Sequence, residues 1–220
     1  MRCLYVLLLA ATLAAACYNE DNEFVERHIV MRNGGRCLMG TKMRELIDDF
    51  HNKLRREVAL GHSYLGTQFK PQEMCGLIYD CEMERKAQEA LDGQGSIAQS
   101  LGVVRFKREY RNSQLSAVKD GLENAAREND KLRQMINPKA TKFGCSVQFR
   151  RASTNTREAE VLCLYDKKTR RKNPKEPKGE SCCVEHDCDR ITQCTFYENS
   201  KCLWDLCYVL EDGEDIATLM

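Results

Sequence analysis

The segment from residue 41 to residue 61 constrains the fold most strongly, because it predicts a helix of about five turns with one apolar side. Its apolar residues recur at helical spacing and form a single stripe: Met43, Leu46, Ile47, Phe50, Leu54 and Val58. Thr41 is the predicted N-cap, since its hydroxyl can accept a hydrogen bond from a first-turn amide, and Gly61 is the predicted end of the helix. Such a helix needs a second layer to cover its apolar side, so we expect a layered domain.

Residues 1–16 are predicted to be a cleaved signal peptide. Arg2 precedes an apolar run over residues 4–13, and three alanines follow this run. The run is too short to span a bilayer, which takes roughly 20 apolar residues. The sequence Leu-Ala-Ala-Ala-Cys17 is also similar to a bacterial lipidation site, which is the less favoured alternative. Because no later segment is apolar enough to span a membrane, we expect a secreted protein with an N-terminal extension over residues 17–36.

The cysteines predict a disulfide framework. Loss of the signal peptide removes Cys3 from the 13 cysteines and leaves an even number, which in a secreted chain predicts up to six bridges. Their pairing is left open by the sequence; they are Cys17, Cys37, Cys75, Cys81, Cys145, Cys163, Cys182, Cys183, Cys188, Cys194, Cys202 and Cys207. Without Arg2, the 34 basic residues fall to the number of the 33 acidic ones. This neutral balance argues against a nucleic-acid or membrane partner.

The middle of the chain predicts further helices. Asp80 is the predicted cap of a second helix, whose apolar side holds Met83, Ala87, Ala90 and Leu91. A seven-residue repeat follows, made by Leu115, Val118, Leu122, Ala125, Asn129, Leu132 and Ile136. A core helix that kinks or breaks near Asn129 is the favoured interpretation, and a coiled coil is the alternative. Pro138 ends the pattern.

Strand candidates indicate a sheet beside these helices. Residues 103–106 are either a short strand or a buried loop, and residues 143–149 are a predicted strand. Residues 161–165 are apolar on both faces, which is typical of a strand that lies between two layers. Helices combined with a sheet that is covered on both sides predict an α+β fold, a three-layer α-β-α sandwich.

The composition changes after residue 166. Residues 167–181 are predicted to be a stiff basic linker, which is either simply solvated, the favoured interpretation, or binds glycosaminoglycan or anionic lipid. Six cysteines within residues 182–207 predict a small disulfide-rich module. Trp204, the only tryptophan, is assigned to the core of this module rather than to an interaction patch. Residues 208–220 are predicted to be a disordered acidic tail.

Four motifs occur in one order along the chain and carry a resemblance to a known family. They are His51-Asn52-x-x-Arg55, then Leu-Ile-Tyr-Asp-Cys-Glu-Met-Glu over residues 77–84, Lys-Phe-Gly-Cys-Ser-Val over 142–147 and Val-Leu-Cys-Leu-Tyr over 161–165. With the signal peptide and the cysteine-rich C-terminus, this order resembles the CAP superfamily of cysteine-rich secretory, antigen 5 and pathogenesis-related proteins. It is closest to the venom-allergen-like or activation-associated secreted proteins of parasitic nematodes, and the resemblance covers residues 37–166.

The resemblance implies both a fold and a class of function. The fold is the α-β-α sandwich of the CAP/SCP domain, in agreement with the layer argument, and the implied framework residues are His51, Asn52, Arg55 and Gly144. Family members are mostly non-enzymatic secreted proteins that bind sterols or lipids, host proteins or ion channels. Many of them have a cavity with two histidines and two glutamates that can hold a divalent metal.

This chain departs from the family at that cavity. Lys131 stands where the family has a cavity histidine, and no histidine between Leu91 and Lys131 can supply the other one. In the glutamate segment, Glu123 lies one place out of register and Asn124 takes its position. The tryptophan that ends the family motif is Asn137 here. Because a zinc site needs three or four suitable donors, we expect a degenerate metal site with neither a metal nor another cofactor.

Other candidate sites have ordinary interpretations. The histidines of the mature chain are scattered rather than at metal-ligand spacing: His28, His51, His62 and His186. A Cys-His zinc cluster at His186 is the alternative to disulfides, which are favoured in a secreted chain. Three glutamates of the second helix are interpreted as a solvated face: Glu82, Glu84 and Glu89. No nucleophile elbow, metalloprotease signature or phosphate loop is present, so no catalytic residues are assigned.

The sequence therefore predicts a secreted, non-enzymatic CAP-domain protein that binds an extracellular protein, as a host-interaction or immunomodulatory effector. The alternative is a lipid or sterol carrier that uses an apolar groove of the CAP domain. A metal-dependent hydrolase is disfavoured by the degenerate cavity.

Overall fold

The computed structural model describes residues 29–71, 74–169 and 200–220. Several predictions fall outside these ranges: the signal peptide, Cys17, His28, most of the basic linker, His186 and the cysteines from Cys182 to Cys194.

The bounds of the strands and helices are as follows. The strands are β1 (Met31–Arg32), β2 (Ser63–Tyr64), β3 (Thr67–Gln68), β4 (Ile78–Asp80), β5 (Gly102–Tyr110), β6 (Lys142–Arg151), β7 (Arg157–Tyr165), β8 (Ser200–Leu203) and β9 (Leu206–Val209). The helices are α1 (Thr41–Leu60), α2 (Cys81–Leu91), α3 (Gln114–Ala125), α4 (Asn129–Met135) and α5 (Ile216–Leu219), with a 3₁₀ turn at Gly34–Arg36. No helix within the three described ranges is long and apolar enough to cross a membrane.

Helix α1 ends as predicted but begins differently. Gly61 has φ 73° and forms the left-handed C-cap. The N-cap is Gly40, whose carbonyl accepts hydrogen bonds from the amides of Met43 and Arg44, so the prediction of Thr41 as N-cap is wrong. Thr41 is instead the first helical residue. The N-cap therefore lies one residue before Thr41, and no side chain caps the helix.

The seven-residue repeat forms two helices, not a coiled coil. Helix α3 ends at Ala125 and helix α4 begins at Asn129, so the predicted break near Asn129 is confirmed. Val118 and Leu122 are fully buried, which gives α3 its contact with the core. Helix α2 begins at the predicted cap, since the side chain of Asp80 accepts hydrogen bonds from the amides of Glu82 and Met83.

A mixed five-stranded sheet forms the centre of the domain in the order β1-β4-β6-β7-β5. Strands β1, β4 and β6 are parallel, while β7 is antiparallel to both β6 and β5. On one face, Met83 and Ala87 of α2 pack against Leu162 and Leu164 of β7. Residues 161, 163 and 165 alternate with these two leucines, and they face α1 and α3 in the larger core. Helices on both faces are what the predicted three-layer sandwich requires.

Strand β5 is longer than predicted. Residues 103–106 were expected as a short strand or a buried loop, and they form part of a nine-residue strand that pairs with β7 from Gly102↔Tyr165 to Tyr110↔Arg157. Val104 and Phe106 are buried while their neighbours are exposed, so the strand alternates. Its charged second half has no local signal of a strand, and pairing with β7 decides its conformation.

Gly144 allows the sheet and helix α2 to approach closely. A Cβ atom at this position would lie 2.3 Å from the amide nitrogen of Glu84 and 2.6 Å from the carbonyl oxygen of Asp80. Both atoms belong to the backbone and cannot rotate away, so only glycine fits between β6 and the start of α2.

Two disulfides join described residues. Cys37–Cys81 ties the segment before α1 to the first residue of α2, and Cys145–Cys163 links paired positions of β6 and β7. Cys207 in β9 is disulfide-bonded as well. One of these two disulfides therefore joins helix α2 to the segment before α1, and the other joins two strands of the sheet.

The C-terminal segment packs on the sandwich. The amide of Cys207 donates to the carbonyl of Met74, and the amide of Gly76 donates to the carbonyl of Cys207. Leu206 and Tyr208 belong to the same core as the sheet. Helix α5 contacts this core through Ile216 and Leu219, and Glu214 is paired with Arg32, so the expectation of a disordered tail is wrong. The division into a domain, a linker and a module stays a prediction.

Candidate functional site

His51 is a buried link between α1 and β7. Its Nδ1 lies 2.7 Å from the carbonyl oxygen of Ile47, and its Nε2 lies 2.7 Å from the hydroxyl of Tyr165. A carbonyl can only accept, so Nδ1 carries the proton and Nε2 accepts the hydrogen bond from Tyr165. Burial lowers the pKa of His51 to about 4, so the ring is neutral at physiological pH. Both ring nitrogens are used, and neither is available to a ligand.

Asn52 fastens the same helix to the strand region that begins at Leu77. Its Nδ2 donates to the carbonyl of Leu77 at 3.1 Å, and its Oδ1 accepts from the amide of Leu77 at 2.8 Å. The side-chain amide thus satisfies both backbone groups of one residue, as a neighbouring strand would. Its Nδ2 also donates to Oδ1 of Asp48 at 3.1 Å.

Arg55 is fully buried and joins three segments. Its Nε donates to the carbonyl of Cys75 at 2.7 Å, and Nη1 donates to the carbonyls of Met135 and Asn137 at 2.8 and 3.1 Å. Its Nη2 donates to the carbonyl of Ala140 at 3.2 Å. These bonds connect α1 to the strand approach at residue 75 and to the turn after α4. The geometry of the His-Asn-x-x-Arg motif is therefore that of a scaffold.

The degenerate cavity positions Lys131, Glu123 and Asn124 do not form a set of metal ligands. Lys131 is half-buried, with its Nζ 2.8 Å from Oε1 of Glu128. Glu123 is half-buried and Asn124 is exposed, where its Oδ1 accepts from Arg127 at 3.1 Å. An ammonium paired with a carboxylate cannot coordinate a cation. These residues do not fit the divalent metal that the resemblance brings to the cavity.

A second cluster contains residue types that can bind a metal, but its two cysteines form a disulfide. Within the described ranges, the only group of three metal-type side chains with ligand atoms close together is His51, Cys145 and Cys163. The two sulfurs are joined in a disulfide, so neither is the thiolate that a metal needs. The cluster is part of the core.

Glu84 corrects the interpretation of the second helix as a solvated face. It is fully buried, where Oε1 accepts hydrogen bonds from the amides of Leu38 and Met39, and Oε2 accepts from the hydroxyl of Tyr79 at 2.7 Å. Burial together with this carboxylate raises the pKa of Tyr79. Glu82 and Glu89 do lie near the surface, paired with arginines. Sequence spacing missed Glu84 because two of its three partners, Leu38 and Met39, lie more than 40 residues away in the chain.

The β8–β9 hairpin holds the most distinctive surface residue. We call Trp204 and Asp205 the hairpin tip; they form the two-residue turn between Leu203 and Leu206, with φ angles of 49° and 62°. Two consecutive residues with side chains in the left-handed region are strained, at about 1–3 kcal/mol each. The buried carboxylate of Asp205 holds the turn, since Oδ2 accepts from Nε of Arg56 at 2.6 Å.

Trp204 is displayed by this turn. It is 39% exposed, and its ring packs edge-on against Tyr208 with centroids 6.5 Å apart. The assignment of Trp204 to a core is therefore wrong. Arg56 lies beside the tip on α1 with half of its side chain exposed.

An apolar groove lies between the N-termini of α1 and α3. Its volume is about 500 Å³, and its apolar lining comes from Met39, Met43, Leu115, Val147 and Phe149. Lys42 lines one part of it. An apolar wall with one cation suits an amphiphile with an anionic end.

Comparisons with known proteins identify the family of this chain. No family model and no curated protein matches the chain, so the relationship rests on solved structures. The Ancylostoma-secreted protein Ac-ASP-7 is 35% identical, with a TM-score of 0.68, and the match covers 83% of this chain and 97% of that one. The chain belongs to the CAP superfamily. Its structural neighbours include nematode venom-allergen-like CAP proteins.

Other CAP structures agree with this assignment. Manganese-bound Ac-ASP-7 is 36% identical, with a TM-score of 0.67, over 83% of this chain and 96% of that one. Na-ASP-1 shares the fold at 22% identity and a TM-score of 0.59, over 80% of this chain and 48% of that one. These matches cover most of this chain and establish its CAP domain.

Replacement of Arg55 by methionine tests the scaffold role. It leaves four carbonyls without their donor in the core, and we expect the free energy of unfolding to fall by roughly 3–5 kcal/mol. Urea unfolding followed by circular dichroism measures the change. The control is Lys53→Met, an exposed position on the same helix, where we expect a change below about 0.5 kcal/mol. Equal stabilities for the two variants would contradict the role.

Asp48 predicts a pH dependence of stability. Burial raises its pKa from 3.8 to about 8, so the folded state binds a proton more tightly than the unfolded state and stability falls as pH rises through this range. The lowered pKa of His51 acts in the opposite direction, but only below about pH 6.5. Between pH 6.5 and 8 we expect the wild type to lose about 2 kcal/mol and Asp48→Asn to remain level. Parallel curves for the two proteins in urea titrations would rule this out.

Proposed function

We propose that this CAP protein is secreted and acts without enzymatic activity by binding another extracellular protein, with a host protein as the expected partner. Membership of the CAP superfamily and the name of its secreted Ancylostoma relative support this proposal. The observation that carries it is the hairpin tip, where a strained turn holds the only tryptophan of the chain at the surface.

The chemistry of the tip supports a protein ligand. Tryptophan and arginine are the residues that most often dominate the binding energy of protein interfaces. Trp204 offers a rigid apolar surface, and Arg56 offers donors beside it. Strain in a turn of this kind is retained only where the surrounding contacts enforce it, and it concentrates at functional sites. A partner with an apolar side chain next to a carboxylate would fit this pair.

The proposal assigns no catalytic residue. Lys131 is neutralised by Glu128, and the two nitrogens of His51 are engaged within the core. Neither group is poised to exchange a proton with a substrate.

Trp204→Ala tests the protein-binding proposal. The mature protein is immobilised at a series of concentrations and exposed to host extracellular fluid, and saturable partners are quantified. We expect the variant to bind its partner at least about tenfold more weakly, which is about 1.4 kcal/mol. Trp204 is exposed, so the fold should persist, and its fluorescence in the wild type reports the same binding event.

Leu38→Ala is the matched control, because Leu38 is the most exposed large apolar residue described, at 63%. We expect it to bind like the wild type. Absence of any saturable partner would refute the protein-binding function. Equal binding by the Trp204 and Leu38 variants would refute only the role of the tip.

The apolar groove favours a second candidate, a carrier of fatty-acid-like lipids. Its volume of about 500 Å³ lies within the range of small-molecule sites, and Lys42 could pair with a carboxylate at the end of an acyl chain. The two proposals use different surfaces, the groove and the hairpin tip.

Leu115→Glu tests the lipid proposal by placing a charge in the groove. Leu115 is 37% exposed, and Val103→Glu is the control at a 40% exposed position outside the groove lining. We expect Leu115→Glu to weaken binding of a fluorescent fatty acid at least about tenfold and Val103→Glu to leave it unchanged. A carboxylate in the groove loses water when the acyl chain binds, and it repels the anionic headgroup. If the wild type takes up no probe, and solvent extracts of the purified protein contain no lipid by mass spectrometry, the carrier function is wrong.

A further inference from the structure

A cleft of about 430 Å³ lies where the acidic C-terminus meets the central sheet. We call it the tail cleft. Its lining includes three cationic side chains, two apolar ones and five carboxylates: Arg32, Lys86, Lys142, Met83, Leu101, Asp80, Glu82, Asp166 and the tail's Glu211 and Glu214. Asp80 and Asp166 accept hydrogen bonds from backbone amides, and Glu82 pairs with Arg36. Arg32 beside the apolar walls is therefore the cation that suits an anionic organic ligand. Neither the scaffold around His51 nor the apolar groove uses these residues.

The C-terminal tail already places a carboxylate in the tail cleft. The Nε of Arg32 donates to Oε1 of Glu214 at 2.8 Å, and Nη2 of Arg32 donates to the other carboxylate oxygen, so the pair is bidentate. This geometry is the strong form of an arginine–carboxylate contact. The hydrogen bond from Arg32 also lowers the pKa of Glu214, which keeps this carboxylate charged.

A second carboxylate is bound by the same guanidinium. Oε1 of Glu211 lies 3.0 Å from Nη1 of Arg32 and 3.9 Å from Nζ of Lys142. Only 12% of the Arg32 side chain is exposed, so its charge is largely enclosed by these two glutamates. Arg32 therefore recognises a pair of carboxylates rather than one.

The tail is shaped to present this pair. The amide of Glu214 donates to the carbonyl of Glu211 at 3.0 Å, and the amide of Glu211 donates to Oε2 of Glu214 at 2.7 Å. Gly213 has φ 84°, a conformation that favours glycine and lets the chain turn between the two glutamates. The turn holds both carboxylates on the side of Arg32.

The two contacts differ in how firmly they are held. The side chain of Glu214 is 20% exposed, whereas that of Glu211 is 63% exposed. An exposed ion pair contributes about 0–1 kcal/mol, so the outer carboxylate can exchange with a competing anion. A tethered group acts at an effective concentration on the order of millimolar, and a free ligand has to compete with that.

We propose that the tail cleft is a binding site for a ligand that carries two carboxylates, and that Glu211 and Glu214 occupy it as a built-in substitute. The ligand displaces the acidic turn and takes its place on Arg32 and Lys142. The apolar Met83 and Leu101 contact the carbon skeleton between the carboxylates.

The test removes the built-in carboxylates and supplies a free one. Succinate is titrated by calorimetry into the wild type and into the full-length E211Q/E214Q variant. We expect the variant to bind succinate at least about tenfold more tightly, because its cleft lacks the competing charges. Adding Arg32→Gln to the double variant should abolish this binding.

The E45Q/D212N variant is the matched control. It removes two exposed negative charges, neither of which lines the tail cleft or contacts Arg32. We expect it to bind succinate like the wild type. Equal gains in the two double variants would reduce the effect to net charge and overturn the proposal, as would succinate binding that survives the loss of Arg32. Binding of inorganic phosphate in place of succinate would overturn the assignment to carboxylates.

A measurement on the wild type covers the case in which the variant does not fold. Hydrogen exchange of the tail amides from residue 211 to residue 219 is followed with increasing succinate. We expect faster exchange as the ligand displaces the turn, and no change with sodium chloride at the same ionic strength. Unchanged protection at the succinate concentration that saturates the calorimetric signal would overturn the proposal. If succinate gives no calorimetric signal, unchanged protection at ten times the effective concentration of the tethered tail would overturn it as well.

Discussion

The rest of the structure depends on the buried guanidinium of Arg55. Its hydrogen bonds satisfy the carbonyls of Cys75, Met135, Asn137 and Ala140, which come from two segments far apart in the chain. Buried carbonyls without donors are costly, so these segments assemble in this way only when the arginine of α1 lies between them. The apolar stripe of α1 brings the helix to the core, and the arginine fixes what it meets there.

Helix α1 carries side chains of both kinds, some that hold the core together and some that lie at the surface. Arg55 points into the core, while Arg56, one residue later, points outward and holds the turn that displays Trp204. Successive residues of a helix lie about 100° apart, so one element can serve both purposes. The surfaces that could recognise a ligand all lie outside the scaffold, at the hairpin tip, the apolar groove and the tail cleft. The CAP framework can therefore remain constant while these surfaces define what is bound.

The sequence by itself determined the elements whose signals are local. Helix α1 and its end at Gly61 follow from apolar spacing and one left-handed residue, and the cap of α2 follows from Asp80. The break before Asn129 and the doubly apolar strand β7 were also predicted, and together they gave the layers of the sandwich. The order of the motifs gave the family, because each motif is short and contiguous.

Only the tertiary structure decided what depends on distant segments. Glu84 is a core carboxylate because the chain at Leu38 and Met39 crosses above it. Trp204 is exposed because the hairpin docks through Tyr208 and Leu206 instead. The tail is ordered because Arg32, almost the whole chain away, meets its glutamates. Burial, charge pairing and disulfide partners are relations between residues that sequence spacing does not bring together. The sequence therefore determined the scaffold, and tertiary contacts decided which side chains are left to bind.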